Sequence, residues 1–178
     1  MSLMLYLASD APLDTVQNPH CKRLSVNEAL ELGITDIPEH LLASGFDRNL
    51  PNVILWSDKN IIIDTENGIF DDGGFDDDYE IYDMDEHYGP SETSKQFRVV
   101  VECDLTPGRA KNILGYIREQ LEYADEIEVW SVWLGDYDQK IVYYDAHIDS
   151  FTAEDLMEIA ELPIQQKPLK HHCVRIRK

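Results

Sequence analysis

Five carboxylates fall within eight residues at Asp71, Asp72, Asp76, Asp77 and Asp78. Two chemistries are open to such a cluster: holding a hard cation through oxygen ligands, or steering and binding a cationic surface. A helix-loop-helix calcium loop needs oxygens at alternate positions and a glycine at the sixth. The run Asp71-Asp72-Gly73-Gly74-Phe75-Asp76-Asp77-Asp78 lacks that spacing. It reads instead as a solvated acidic loop and a candidate binding surface for a basic partner, with no metal expected.

The remaining chemistry-bearing residues are scattered. Asp145 and His147 stand two apart on a predicted strand and so share one face, as an acid–base pair would require. A polar sheet face shows the same spacing, and that plainer reading is preferred. Trp130 and Tyr143 would give aromatic surface to a ligand or a stacked base, but no RNA-recognition signature accompanies them. His20-Cys21 and His171-His172-Cys173 supply zinc ligand types without the repeated short pairs of a structural zinc site. Neighbours on a strand also point to opposite faces, so His172 and Cys173 make a poor ligand pair. Cys103, Ser25 and Ser131 sit in no nucleophile motif, and there is no phosphate-binding glycine loop. No catalytic residue and no cofactor is expected.

The elements that must position these residues are clearest from Gln96 onward. Phe97–Leu105 alternates as a strand. Thr106-Pro107 is a strong helix start, followed by Ala110, Ile113, Leu114, Ile117 and Leu121 at helical spacing. Glu126–Leu134 is a short apolar run holding Trp130 and Trp133, Lys140–Ile148 a third strand, and Thr152 caps a second helix that Pro163 is expected to end. His171–Ile176 is the last strand. The order β-α-β-β-α-β predicts an α+β protein with a ferredoxin-like C-terminal half. In that arrangement one sheet face would be open. Yet Ile127 and Val129 on one side of the Trp130 strand and Trp130 and Val132 on the other are all apolar. A monomer rarely exposes such a patch, so a covering layer is expected: the N-terminal αβ part, or a second copy of the chain.

Upstream, Met4–Ser9 reads as a strand, with Met1–Leu3 a leader before it. Ser25 with Glu28 forms a capping-box signature for a helix stopped by Gly33, and Pro38 opens a short second helix. Val53–Trp56 and Asn60–Ile63 suggest a hairpin. Between Asp64 and Ser94 stand twelve acidic residues and no Lys or Arg, with Tyr79, Tyr82 and other aromatics interleaved. Like charge favours an extended, solvated chain, but aromatics argue that part of it docks, as a strand around Tyr79–Tyr82. The expected organisation is residues 4–63 as an N-terminal part covering the sheet, 64–94 as an acidic, partly ordered connector, and 95–178 as the ferredoxin-like part, packed as one compact unit.

The formal net charge of −20 over 178 residues opposes nucleic acid and anionic membrane as partners and favours a basic protein. No apolar run approaches the roughly 18 residues of a membrane span. The N-terminus has no secretory pattern, and three widely spaced cysteines point to a reducing cytoplasm.

At Met4–Leu13 (MLYLASDAPL) and Glu128–Asp136 (EVWSVWLGD) the chain resembles a family of uncharacterised bacterial cytosolic proteins. The resemblance implies a bacterial cytosolic origin and carries no activity with it. The expected function is a non-catalytic acidic interaction module, immunity- or inhibitor-like, binding a basic protein surface. The alternative is an enzyme or small-ligand sensor with a pocket near Trp130, Tyr143, Asp145 and His147. A homodimer is a third expectation.

Overall fold

The computed structural model describes residues 3–57, 62–64, 69–71, 75–84, 93–133, 140–165 and 170–178. In chain order the elements are β1 (Leu3–Ser9), β2 (Cys21–Leu24), α1 (Val26–Glu31), α2 (Glu39–Leu42), β3 (Ile54–Ser57), β4 (Ile62–Asp64), β5 (Ile69–Asp71), β6 (Glu80–Asp83), β7 (Phe97–Glu102), α3 (Pro107–Gln120), β8 (Glu126–Trp133), β9 (Ile141–His147), α4 (Ala153–Gln165) and β10 (His171–Arg177). The protein is mixed α+β, with a large, mostly antiparallel sheet. It divides into two compact units, residues 1–18 with 75–178, and residues 19–74.

In the larger unit six strands run in the order β6-β7-β1-β8-β10-β9. Every neighbouring pair is antiparallel except β10 with β9. This order is not the ferredoxin-like one expected from the β-α-β-β-α-β succession. The consecutive strands β8 and β9 do not pair as a hairpin, because β10 lies between them. The β7-α3-β8 crossover leaves a gap of one strand, and β1 fills it. Met4–Ser9, read in the sequence with the part covering the sheet, is thus one of its inner strands. Ser9 pairs with Phe97 on one side and Ile127 on the other.

The two-residue period of the strands sorts the core. Leu7, Val99, Val101, Ile127, Val129, Val174 and Ile176 form one buried cluster with α3 and α4. The helix face contributes Ala110, Ile113, Leu114 and Ile117 from α3 and Leu156 and Ile159 from α4. Thr106 caps α3, its hydroxyl accepting from the Arg109 N–H, and Pro107 holds the first turn where no donor is needed. At the head of α4, Thr152 donates through its N–H and Oγ1 to Asp155 Oδ2, and the Asp155 N–H returns to Thr152 Oγ1. The helix continues past Pro163 to Gln165, beyond the expected stop. The opposite sheet face buries a second cluster of Tyr6, Ala8, Trp130, Val132 and Cys173.

The smaller unit packs Leu24, Val26, Ala29, Ile37, Leu41 and Ile54 together. The capping box is present: Ser25 Oγ accepts from the Glu28 N–H, and the Ser25 N–H donates to Glu28 Oε2. Gly33 follows α1 at φ +76°, a left-handed position that suits glycine. The hairpin expected between Val53–Trp56 and Asn60–Ile63, of which residues 58–61 lie outside the described residues, is not the pairing seen among those described. β3 pairs with β2, and β4 with β5. β2 escaped detection because Lys22 and Arg23 are exposed and only Leu24 is buried, so no apolar run marks it. Among the described residues no helix is long and apolar enough to cross a membrane.

Candidate functional site

The acidic run does not behave as one solvated loop. Asp71 ends β5, opposite Ile62. Asp72 lies outside the described residues. Asp76 and Asp77 are exposed, but Asp78 is buried. Its Oδ2 accepts from Arg109 Nη2 at 3.0 Å, and its Oδ1 from Asn18 Nδ2 at 2.6 Å. Arg109 also donates from Nε to the Phe75 carbonyl and from Nη1 to the Asp104 carbonyl. The main chain of Asp76 accepts from Asn112 Nδ2. Its carboxylate lies against Gly108, so close that a Cβ there would collide with it. The segment is therefore tied to the first turns of α3, where negative charge is favoured. Asp78 is spent on the fold and is not available to a partner, which corrects its placement on the binding surface. The next stretch forms a strand where the sequence suggested one: β6 runs from Glu80 to Asp83, one residue past the expected start at Tyr79, and Ile81 is buried in the core.

Trp130 is also structural. Its side chain is 0% exposed, with Tyr6 stacked against it at 5.7 Å and Tyr143 edge-on at 5.9 Å. Its indole N–H donates to Glu128 Oε2 at 2.8 Å, and the Thr93 hydroxyl donates to the same oxygen at 2.6 Å. One oxygen of a buried carboxylate thus accepts from both donors and satisfies the indole N–H and the threonine hydroxyl. Lys95 extends the network: its N–H donates to Thr93 Oγ1, and its ammonium bridges Asp10 at 2.7 Å and Glu126 at 3.1 Å. Burial raises the Glu126 carboxyl, but hydrogen bonds from Lys95 and Arg177 outweigh it and hold the group below its ordinary value.

Tyr143, Asp145 and His147 occupy one face of β9 and are exposed. Asp145 pairs with Arg175 at 3.0 Å and approaches Arg177 at 3.7 Å. Arg175 also lies over the Tyr143 ring, 5.5 Å from its centre. His147 turns the other way along the chain, its Nδ1 3.5 Å from Asp149 Oδ2 and accepting from the Asp149 N–H. The shared face is present, but each residue has its own partner. Asp145 is in a cross-strand ion pair and His147 in a local contact with Asp149.

Two residues with unusual surroundings were not singled out by sequence. Arg109 is one; its signal was its place four residues before Ile113 on the buried stripe of α3. Glu128 is another, a carboxylate inside an apolar run. His172 is fully buried on the helix face, stacked on Tyr144 with Nδ1 3.2 Å from the Tyr144 hydroxyl. Its Nε2 has no hydrogen-bond partner among the described residues, and neither ring nitrogen of His171 has one. Desolvation, then the neighbouring Lys170 and His171, lowers the His172 pKa below 6.5. Cys173, on the opposite face, is buried, and that burial drives its thiol pKa up, away from the reactive thiolate. Among the described residues no three metal-ligating side chains come together.

One open depression of about 520 Å³ lies on the helix side, between Pro107, Lys111, Leu114 and Arg118 of α3 and Phe151 and Glu154 ahead of and within α4. Tyr143, Asp145 and His147 project from the other face and do not line it. Comparison with protein-family models, curated proteins and solved structures gives no match.

Proposed function

We propose that this protein is a non-catalytic acidic interaction module that holds a basic protein surface, in the manner of an immunity or inhibitor protein. The observation that carries the reading is how the fold spends its cations. Lys95, Arg109, Arg175 and Arg177 are engaged by Asp10, Glu126, Asp78 and Asp145. The pairs use cations and carboxylates in similar numbers, so the −20 excess remains uncompensated. A surplus of that size attracts and orients cationic partners at long range. A ligand-binding role for Trp130 has little support, since its ring is buried and its N–H is already bonded. The three cysteines are free, which favours a reducing compartment such as the cytoplasm.

The test is binding to immobilised small proteins of graded charge at low salt. Retention that rises with the positive charge of the bait supports the role. Equal retention on basic and acidic baits, or none on the basic ones, removes it.

A further inference from the structure

The two ends of the six-stranded sheet are finished differently. At one end β6 is four residues long, and Val16 closes its outer side: the Val16 N–H donates to the Ile81 carbonyl and the Ile81 N–H to the Val16 carbonyl, both at 2.8 Å. At the other end β9 is seven residues long and in unbroken register with β10 from Ile141 to His147. Among the described residues β10 is its only neighbouring strand.

Natural edge strands are usually blunted by proline, by lysine, by a bulge or by shortness. Ile141–His147 (IVYYDAH) has none of these. It is rich in strand formers, and its one carboxylate, Asp145, is held by Arg175 on the inner side. Such an edge presents alternate N–H and C=O groups that an extended segment can pair with, giving roughly six main-chain hydrogen bonds over this length.

Charge selects the occupant. A second copy would bring −20 against −20, which opposes self-association. A cationic segment is drawn to the same field. Side chains on an added strand lie beside those of β9 on each face. One face of β9 carries Val142, Tyr144 and Ala146, the last two packed against the apolar core. The other carries Tyr143, Asp145 and His147, with the exposed Asp149 just beyond. The matching segment therefore alternates apolar, β-branched residues with lysine or arginine.

We propose that β9 is the docking edge of this protein and that it captures an extended basic segment of another protein by strand addition. The inference rests on the acidic-module reading and names the site and shape of its partner.

The experiment uses the full chain and a labelled peptide alternating lysine and valine. Fluorescence anisotropy gives affinity, and backbone hydrogen exchange gives location. The same peptide N-methylated at alternate amides keeps its charge but cannot extend a sheet, and a glutamate–valine peptide reverses the charge. The expected result is binding of the lysine peptide at low salt, at least about tenfold weaker binding of the N-methylated one, none of the acidic one, and new exchange protection within 141–147. Tyr143→Lys, which places a guarding cation beside the edge, weakens binding to a similar degree. N-methylated peptide binding equally well, with protection outside 141–147, overturns the edge assignment and leaves the acidic-module reading standing. No binding of either lysine peptide at low salt overturns both. Protection of 141–147 without peptide, rising with protein concentration, makes the occupant a second copy and overturns the choice of a cationic one.

Discussion

Asp78 and Arg109 form a buried ion pair, 3.0 Å apart, with side chains 0% and 1% exposed. One partner comes from the most acidic stretch of the chain and the other from the buried face of α3. Their juxtaposition turns a run of like charge into a docked part of the fold. Breaking a buried pair from one side leaves an uncompensated charge, which costs about 3–5 kcal/mol. Asp78→Ala is accordingly expected to lower unfolding free energy by that amount in urea denaturation. A loss within about 0.5 kcal/mol, the ordinary effect of a surface substitution, would show that the segment is not docked.

Gly108 offers an independent check on the same docking. A methyl group there displaces the Asp76 carboxylate, while alanine in a helix is favoured over glycine by up to ~1 kcal/mol. In an Asp76→Ala background, Gly108→Ala is expected to stabilise by up to that amount. With Asp76 present the same change gains less or destabilises. Equal effects in both backgrounds, measured as a double-mutant cycle, would mean the two residues do not touch.

Trp130 and Glu128 depend on one another across two residues of β8. Trp130→Phe keeps the apolar ring but removes a donor from a buried carboxylate, for which a cost of about 1–3 kcal/mol is expected. Thermal unfolding of Trp130→Phe and Glu128→Gln, singly and together, measures the coupling. Additive effects would contradict the shared hydrogen bond.

The pH dependence has two parts with the same sign. His172 has its pKa lowered in the folded chain, so the unfolded state takes up a proton first as pH falls. Its contribution is intact above 6.5, the ordinary value, and is lost as pH drops from there toward the folded pKa. Glu126 is likewise lowered, so its contribution is intact above 4.5 and is lost as pH falls below that. Urea midpoints are therefore expected to decline in two stages on acidification. His172→Gln is expected to flatten the first stage; an unchanged profile would show that His172 does not titrate with unfolding.

Helices and faces were legible in the sequence; partners were not. Thr106-Pro107 and the stripe from Ala110 to Leu121 identify α3 because capping and helical spacing are local signals. The alternation around Trp130 correctly separates Ile127 and Val129 from Trp130 and Val132, because strand period alone sets which side a residue occupies. The strand order is another matter. Ser9 meets Phe97 and Ile127, and no local pattern records a pairing of that sequence separation. The pairing of Arg109 with Asp78 escaped for the same reason: neither residue names its partner until the fold brings the other to it. Asp145 and His147 show the converse limit, since spacing put them on one face but could not reveal Arg175 and Asp149 as their partners.

The proposed role of the uncompensated negative charge of this fold is to hold a cationic partner. Its most direct test is the affinity of the full chain for a basic peptide or protein, measured across a series of salt concentrations. Screening acts on exposed charges within a Debye length of about 8–10 Å at moderate salt. Measurable binding at low salt and a steep, continuous loss as salt rises are expected. Affinity that does not change with salt, or no binding to a cationic probe at the lowest salt, would contradict it.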